Sequence, residues 1–179
     1  MILTEKRKVR RDVRAKIAML SSEDKREQSA LIFSKIASSE QFSKASVVAL
    51  FVSLTDEPQT SEFIASISQH KRIVVPRIEG DEMDFYDIAE GVQRGAFDIM
   101  EPIADKPIEP SQIDLMILPG VAFTRQGARL GRGKGFYDKY LSRKGFRAKT
   151  IGVCYACQVV ESLPTEEHDR TLDEVVSSE

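Results

Sequence analysis

Residues 46–75 read Ser-Val-Val-Ala-Leu-Phe-Val (46–52), Ser-Leu-Thr-Asp-Glu-Pro-Gln (53–59), Thr-Ser-Glu-Phe-Ile-Ala-Ser-Ile-Ser-Gln (60–69) and His-Lys-Arg-Ile-Val-Val (70–75). The first block is a continuous apolar run, as a strand covered on both faces should be, and 72–75 is a second such strand. Residues 60–69 between them predict a helix, so the order strand, helix, strand predicts a parallel crossover. Outward from this unit, 83–88 alternates more loosely and suits a strand nearer an edge. Residues 114–118 (Asp-Leu-Met-Ile-Leu) form another buried strand, stopped by Pro119 and Gly120, and a helix over 136–144 precedes a strand over 150–154. On the N-terminal side, Val9, Val13, Ile17 and Leu20 recur at helical spacing among basic residues over 6–19. A second helix runs to about residue 38, with Ser21 or Ser22 as N-cap, Glu23 and Asp24 in its first turn, and Ala30, Leu31, Ile36 and Ala37 on its apolar face. The alternation predicts a three-layer α/β/α domain with a mostly parallel central sheet. Residues 91–113, rich in Pro, Asp and Glu, read as a long connection.

The 179 residues, 41% hydrophobic and 30% charged, suit one globular domain spanning 1–179. A net charge of -2 argues against a global basic field for nucleic acid or an acidic membrane, so the positive charge that matters must be local. No apolar run has membrane-spanning length. The start is charged at once, and Glu5 and Asp12 interrupt what an acid-poor mitochondrial presequence would need, so the expected location is cytoplasmic. Cys154 and Cys157 have C-x-x-C spacing without a second pair. Cys154 ends an apolar stretch, so two buried free thiols are expected rather than a redox or zinc centre.

In such sheets ligands gather beyond the carboxyl ends of the strands. Three segments lie there: 53–60, 119–135, and 155 onward. The second contains Arg129-Leu-Gly-Arg-Gly-Lys-Gly-Phe-Tyr-Asp138. Alternating glycines let the backbone turn its N–H groups toward an anion while Arg132 and Lys134 add charge, and Asp138 stands where a magnesium ion beside phosphates would be held. Neither the Walker A nor the G-x-G-x-x-G pattern is present, which leaves nucleotide, sugar phosphate and RNA as open readings. Glu57 suits an amino-substituted heterocycle with paired N–H groups, while Thr55 or Asp56 as a helix cap is the plainer alternative for this turn. Lys6, Arg7, Lys8 and Arg10 would reach a triphosphate or form the wet face of a helix. Asp169 is a candidate metal or water ligand, and His168 beside it has no assigned role.

Leu118-Pro-Gly-Val-Ala-Phe123, Gly127 and the decapeptide 129–138 with Leu141 resemble the signature of the 5-formyltetrahydrofolate cyclo-ligase family. Lys6-x-x-x-Arg10, Asp56-Glu57-x-x-Thr60, Pro76-Arg77, Met83-x-Phe85-Tyr86, Glu101-Pro102, Leu163-Pro164 and His168-Asp169 occur in the family's order, so the resemblance spans nearly the whole chain. It implies a sheet similar to sugar-phosphate isomerase and CoA-transferase-like folds. The implied activity is ATP- and Mg2+-dependent conversion of 5-formyltetrahydrofolate to 5,10-methenyltetrahydrofolate, releasing ADP and phosphate. It also implies Lys134 and Arg132 as catalytic, and Lys6, Arg7, Lys8, Val9, Arg10 and Arg129, Leu130, Gly131, Arg132, Gly133, Lys134, Gly135, Phe136, Tyr137 on ATP. Val52, Glu57, Arg132, Gly133, Lys134, Gly135 and Phe136 would meet the folate, Phe85 or Tyr86 would flank its rings, and Asp138 and Asp169 would correspond to magnesium positions. The expected partner is the folate, with or without a polyglutamate tail, acted on by a monomer without nucleic acid or membrane. Phe136 stands where many members have tyrosine, Thr124 where aspartate is common, and Lys134 where many bacterial members have glycine.

Overall fold

The computed structural model describes residues 2–95 and 100–179, so part of the connection expected over 91–113 lies outside the described residues. Three helices, α1 (Ile2–Ala18), α2 (Ser22–Ala37) and α3 (Glu40–Lys44), precede β1 (Val47–Ala49), α4 (Ser61–Ile67), β2 (Arg72–Glu79) and β3 (Glu82–Asp87). Then come β4 (Val92–Arg94), β5 (Met100–Pro102), β6 (Leu115–Leu118), β7 (Ala122–Phe123), β8 (Arg129–Leu130), α5 (Phe136–Leu141), β9 (Lys149–Cys154) and β10 (Glu174–Ser177). The six-stranded sheet has the order β10-β9-β6-β1-β2-β3, with every neighbouring pair parallel except β2 with β3. The expected architecture is therefore present: β1 and β2 are parallel neighbours around α4, and β3 is the antiparallel edge.

Alternation along the strands divides the core into two layers. Val48, Leu50, Ile73, Val75, Leu115, Ile117, Ile151 and Val153 pack with Val13, Ile17, Ile32, Phe33, Ile36 and Phe63 of α1, α2 and α4. Ala49, Val74, Met116, Leu118 and Cys154 face the opposite way, against Phe85, Ile113, Tyr140 and Leu172. Apolar residues on both faces explain why these strands read as unbroken apolar runs. No helix among the described residues is long and apolar enough to cross a membrane.

Several elements differ from the sequence reading. The strand expected to reach Val52 stops at Ala49; Leu50 still donates to Val74 O, but Phe51 O accepts the Thr60 hydroxyl at 2.9 Å instead of a ladder bond. Of the expected apolar face of α2 only Ile36 is buried: Leu31 is 53% exposed, Ala30 and Ala37 are exposed, and Ile32 and Phe33 face the core beside Ile36 instead. Ser21 is the N-cap, within a reciprocal capping box with Asp24. Strand β10, which extends the sheet beyond β9, and the hairpin β4–β5 were absent from the reading, and the last helix ends at Leu141 rather than 144. Both thiols are free, but only Cys154 is fully buried, and burial raises it to about 12.

Candidate active site

A cavity of about 590 Å³ opens at the carboxyl ends of β1, β2 and β6, roofed by α1 and the glycine loop. Its apolar side includes Leu3, Phe51, Val52, Leu54, Ile78 and Met83, and its polar side includes Lys6, Arg10, Glu57, residues 129–138 and Asp169. Thus a chamber with one oily and one charged wall lies where an α/β sheet collects ligands.

The charged wall is shaped by the backbone of the decapeptide. Gly133 has φ 106° and Gly135 φ 72°, values a residue with a Cβ rarely adopts, so these two glycines create the sharp path before α5. Arg129 is fixed beneath the loop: its Nη2 donates to Asp138 Oδ2 at 3.0 Å, its Nη1 to Pro119 O at 3.2 Å, and its guanidinium lies 5.3 Å from the Tyr137 ring centroid. Lys134 is exposed and, among the described residues, has no hydrogen-bond or ion-pair partner. Among the described Lys and Arg residues that line the cavity, it is the one left without a partner to meet an incoming anion.

Opposite the loop stands Glu57, 5% exposed. The turn that carries it is closed by reciprocal bonds, Ser53 N to Thr60 Oγ1 at 3.2 Å and Thr60 N to Ser53 Oγ at 3.1 Å. Leu54 N donates to Glu57 Oε2 at 2.9 Å, and the buried Tyr155 hydroxyl donates to the Glu57 carbonyl at 2.6 Å. Glu57 Oε1 accepts from Arg132 Nε at 3.1 Å and Nη2 at 2.9 Å. Burial raises the Glu57 pKa, outweighing the Leu54 amide and the Arg132 charge that oppose it. Neither Thr55 nor Asp56 caps the next helix: its N-cap position is Thr60, without a side-chain cap bond, and Asp56 Oδ1 instead accepts from Arg132 Nη2 at 2.5 Å. Arg132, expected on both the phosphates and the folate, is thus the direct partner of Glu57.

The basic N-terminal run is divided by helix periodicity. Lys6 and Arg10, at i and i+4, share the face that lines the cavity, with Arg10 Nε donating to Gly131 O at 2.8 Å. Arg7, Lys8 and Val9 lie outside it: Arg7 and Lys8 are exposed, Lys8 pairs with Asp12 at 3.0 Å, and Val9 packs on the core. Lys6 is 5% exposed and donates to Asp169 at 2.6 Å and Glu166 at 2.8 Å. Although burial opposes its charge, those two bonds raise the Lys6 pKa; the Asp169 pKa is lowered, against its own burial, by the Lys6 bond and the Glu166 N–H.

Phe85 and Tyr86 do not line the cavity; 1% and 5% exposed, they are core residues, Phe85 against the Tyr140 ring and Tyr86 beneath the Arg77 guanidinium. Met83, two residues earlier, is the part of β3 that reaches it. Glu166 and Tyr155 escaped the sequence reading because they matter only as partners of Lys6 and Glu57, far away in the chain.

Magnesium takes oxygen ligands, retains several waters and needs only one or two carboxylates beside substrate phosphates. Asp138 and Asp169 both line the cavity, and among the described residues Asp169 Oδ1 accepts no hydrogen bond, so a hard-oxygen donor set of the required kind is present. Glu166, His168 and Asp169 place one ligand atom each within 4.8 Å of one another.

The model of the 5-formyltetrahydrofolate cyclo-ligase family matches residues 2–178. The chain is 29% identical to the mouse 5-formyltetrahydrofolate cyclo-ligase, covering 96% of this chain and 92% of that protein. It is 34% identical to the Escherichia coli K12 5-formyltetrahydrofolate cyclo-ligase over 143 residues, 74% of this chain and 78% of that one. Among solved structures, the Aquifex aeolicus 5,10-methenyltetrahydrofolate synthetase superposes with a TM-score of 0.87 at 34% identity, covering 97% of this chain and 89% of that one. The Mycoplasma pneumoniae 5,10-methenyltetrahydrofolate synthetase does so with 0.79 at 27% identity, covering 98% and 99%. With the match running through α1, the Glu57 turn and the glycine loop alike, this chain belongs to the 5-formyltetrahydrofolate cyclo-ligase family.

Proposed function

We propose that this protein is an ATP-dependent enzyme that cyclises 5-formyltetrahydrofolate to 5,10-methenyltetrahydrofolate with release of ADP and phosphate. The observation that carries the reading is the meeting of Glu57 with the 129–138 loop across one cavity whose remaining wall is apolar. A folate presents both a flat ring system with an amidine-like N–H edge and a reacting formyl group, so it needs an oily slot, a carboxylate and a phosphate site together.

The chemistry follows from the substrate. A formyl amide oxygen is a poor leaving group. Transfer of the γ-phosphoryl group to that oxygen converts it to a phosphate ester, N10 then attacks the activated carbon, and phosphate leaves. Such a transfer depends on charge neutralisation and in-line positioning more than on covalent help. Lys134 supplies an unpaired ammonium, Arg132 a guanidinium, and the loop amides fixed dipoles. Lys6 and Arg10 grip the nucleotide from α1, with Arg129, Leu130 and Tyr137 forming the floor. Val52, Glu57 and Phe136 hold the folate, Glu57 accepting from the pterin edge. Asp138 and Asp169 hold the magnesium of MgATP, which when bound neutralises phosphate charge. The enzyme is proposed to act as a monomer in the cytoplasm.

The test mixes purified protein, 5-formyltetrahydrofolate and MgATP and follows the absorbing methenyl product together with ADP. Equal amounts of both are expected; absence of an ATP-dependent product refutes the reading.

A further inference from the structure

Arg132 is the one side chain that touches both the residue assigned to the folate and a second carboxylate outside the cavity. Glu57 Oε1 accepts from Arg132 Nε and Nη2, and Oε2 accepts from Leu54 N, so three of the lone-pair sites of this carboxylate are taken. A pterin edge offering two N–H groups needs two acceptor sites. Glu57 must therefore release at least one Arg132 contact when the ring arrives.

The Arg132 side chain is 35% exposed and that of Glu57 only 6%, so a guanidinium that lost its only counter-charge there would be costly. Asp56 removes that cost. Its Oδ1 holds Arg132 Nη2 at 2.5 Å, its side chain is 32% exposed, and it stays ionised because Arg132 outweighs the burial that opposes its charge. Asp56 does not line the cavity, whereas Arg132 and Glu57 do, so its influence on a ligand has to pass through Arg132.

We propose that Asp56 is a positioning residue: it retains Arg132 while Glu57 exchanges its guanidinium partner for the folate ring, and thereby sets folate affinity. The proposal rests on the reading of Glu57 as the folate-binding carboxylate. Without the Asp56 charge, Arg132 has Glu57 as its only anionic partner, and the incoming ring must break that last ion pair.

The experiment compares Asp56→Asn and Asp56→Glu with the parent enzyme, measuring KM for 5-formyltetrahydrofolate, KM for ATP, kcat, melting temperature and equilibrium folate binding without ATP. A charge-assisted bond at a site one-third exposed corresponds to a roughly five- to twentyfold change in affinity. Asp56→Asn is expected to raise folate KM and Kd by that factor while KM for ATP moves less than about twofold. Asp56→Glu, which restores a carboxylate, is expected to recover most of the loss. An unchanged folate KM, equal rises in both KM values, or a Glu variant as poor as the Asn variant overturns the proposal while leaving the cyclo-ligase reading standing. A parent enzyme that neither binds nor converts the folate removes that reading and this proposal with it.

Discussion

Two buried tyrosines provide a matched test of whether the Glu57 turn is held by a specific hydrogen bond. Tyr155 is fully buried at the end of β9, and its hydroxyl donates to the Glu57 carbonyl at 2.6 Å. Tyr140 is 1% exposed in α5, and its hydroxyl has no partner among the described residues. Tyrosine to phenylalanine removes one oxygen at either place and keeps the ring, which for Tyr140 preserves its edge contact with Phe85 at 4.8 Å. At Tyr155 the loss is a net buried hydrogen bond, about 1 kcal/mol, moderated because Gln59 Nε2 still donates to the same carbonyl at 3.0 Å. At Tyr140 nothing is broken and a desolvated hydroxyl is removed, so the change is neutral or stabilising by up to about 1 kcal/mol. For a chain of this size 1 kcal/mol corresponds to about 2–4 °C in Tm. Tyr155→Phe should melt about 2–4 °C lower and raise folate KM a few-fold by loosening Glu57, while Tyr140→Phe should melt at or above the parent and keep its KM. Calorimetry and steady-state kinetics on the two variants decide it. Equal destabilisation by both, or a Tyr155→Phe enzyme with parental Tm and folate KM, refutes the assignment of Tyr155 as the anchor of the turn.

Lys134 is exposed and unpartnered, so Lys134→Met should lower kcat by about 10²–10³-fold with a Tm within about 1 °C of the parent, whereas Asp138→Asn should lower both, because Asp138 balances Arg129, whose side chain is only 3% exposed; parallel turnover and melting measurements separate the two. Lys6→Met leaves Glu166 and Asp169 facing one another, with side chains 32% and 17% exposed, and should cost about 1–2 kcal/mol, read as a Tm about 2–8 °C lower together with a raised KM for ATP. Because burial raises the Glu57 pKa above the ordinary 4.5, this group favours the fold most below the unfolded pKa and loses that advantage as pH rises through its folded pKa. If Glu57 accepts from the pterin edge as proposed, folate binding needs the ionised form, so folate KM should climb as pH falls through that raised pKa, a rise read in a pH profile of KM and absent in Glu57→Gln.

The parts of this molecule that were legible in sequence are those whose cause is local. Four strands declared themselves because both faces are covered, and the glycine loop because two of its glycines occupy positive φ before a short helix. Strand β10 did not: Glu174-Val-Val-Ser177 lies at the sheet edge, and two apolar residues between two polar ends carry no period to detect. The α2 face was misplaced because Ala30, Leu31 and Ala37 are apolar enough to suggest a face while Ile32 and Phe33, beside them, are the ones buried. Phe85 was drawn toward the site by its type, although its place on β3 turns it into the layer with Tyr140.

What local pattern could not convey is that the cations and carboxylates of the site were matched to one another before any ligand was considered. The family resemblance assigns Lys6, Arg129 and Arg132 to ATP, Glu57 together with Arg132 to the folate, and Asp138 and Asp169 to magnesium, without conveying which of these groups pair with one another. Folding joins them across large separations: Lys6 with Asp169 over 163 positions and Arg132 with Glu57 over 75, and it closes Arg129 onto Asp138 as well. This pairing reconciles a strongly basic motif with a net charge of -2, since an array of half-buried unpaired cations would repel itself and weaken the fold. Under the proposed function, a nucleotide and a folate would each displace an internal counter-charge rather than fill an uncompensated site, so affinity would depend on where the displaced group goes. Lys134, with no partner to give up, is the residue for which that exchange costs nothing, and this is why the largest effect on turnover with the smallest effect on stability is assigned to it.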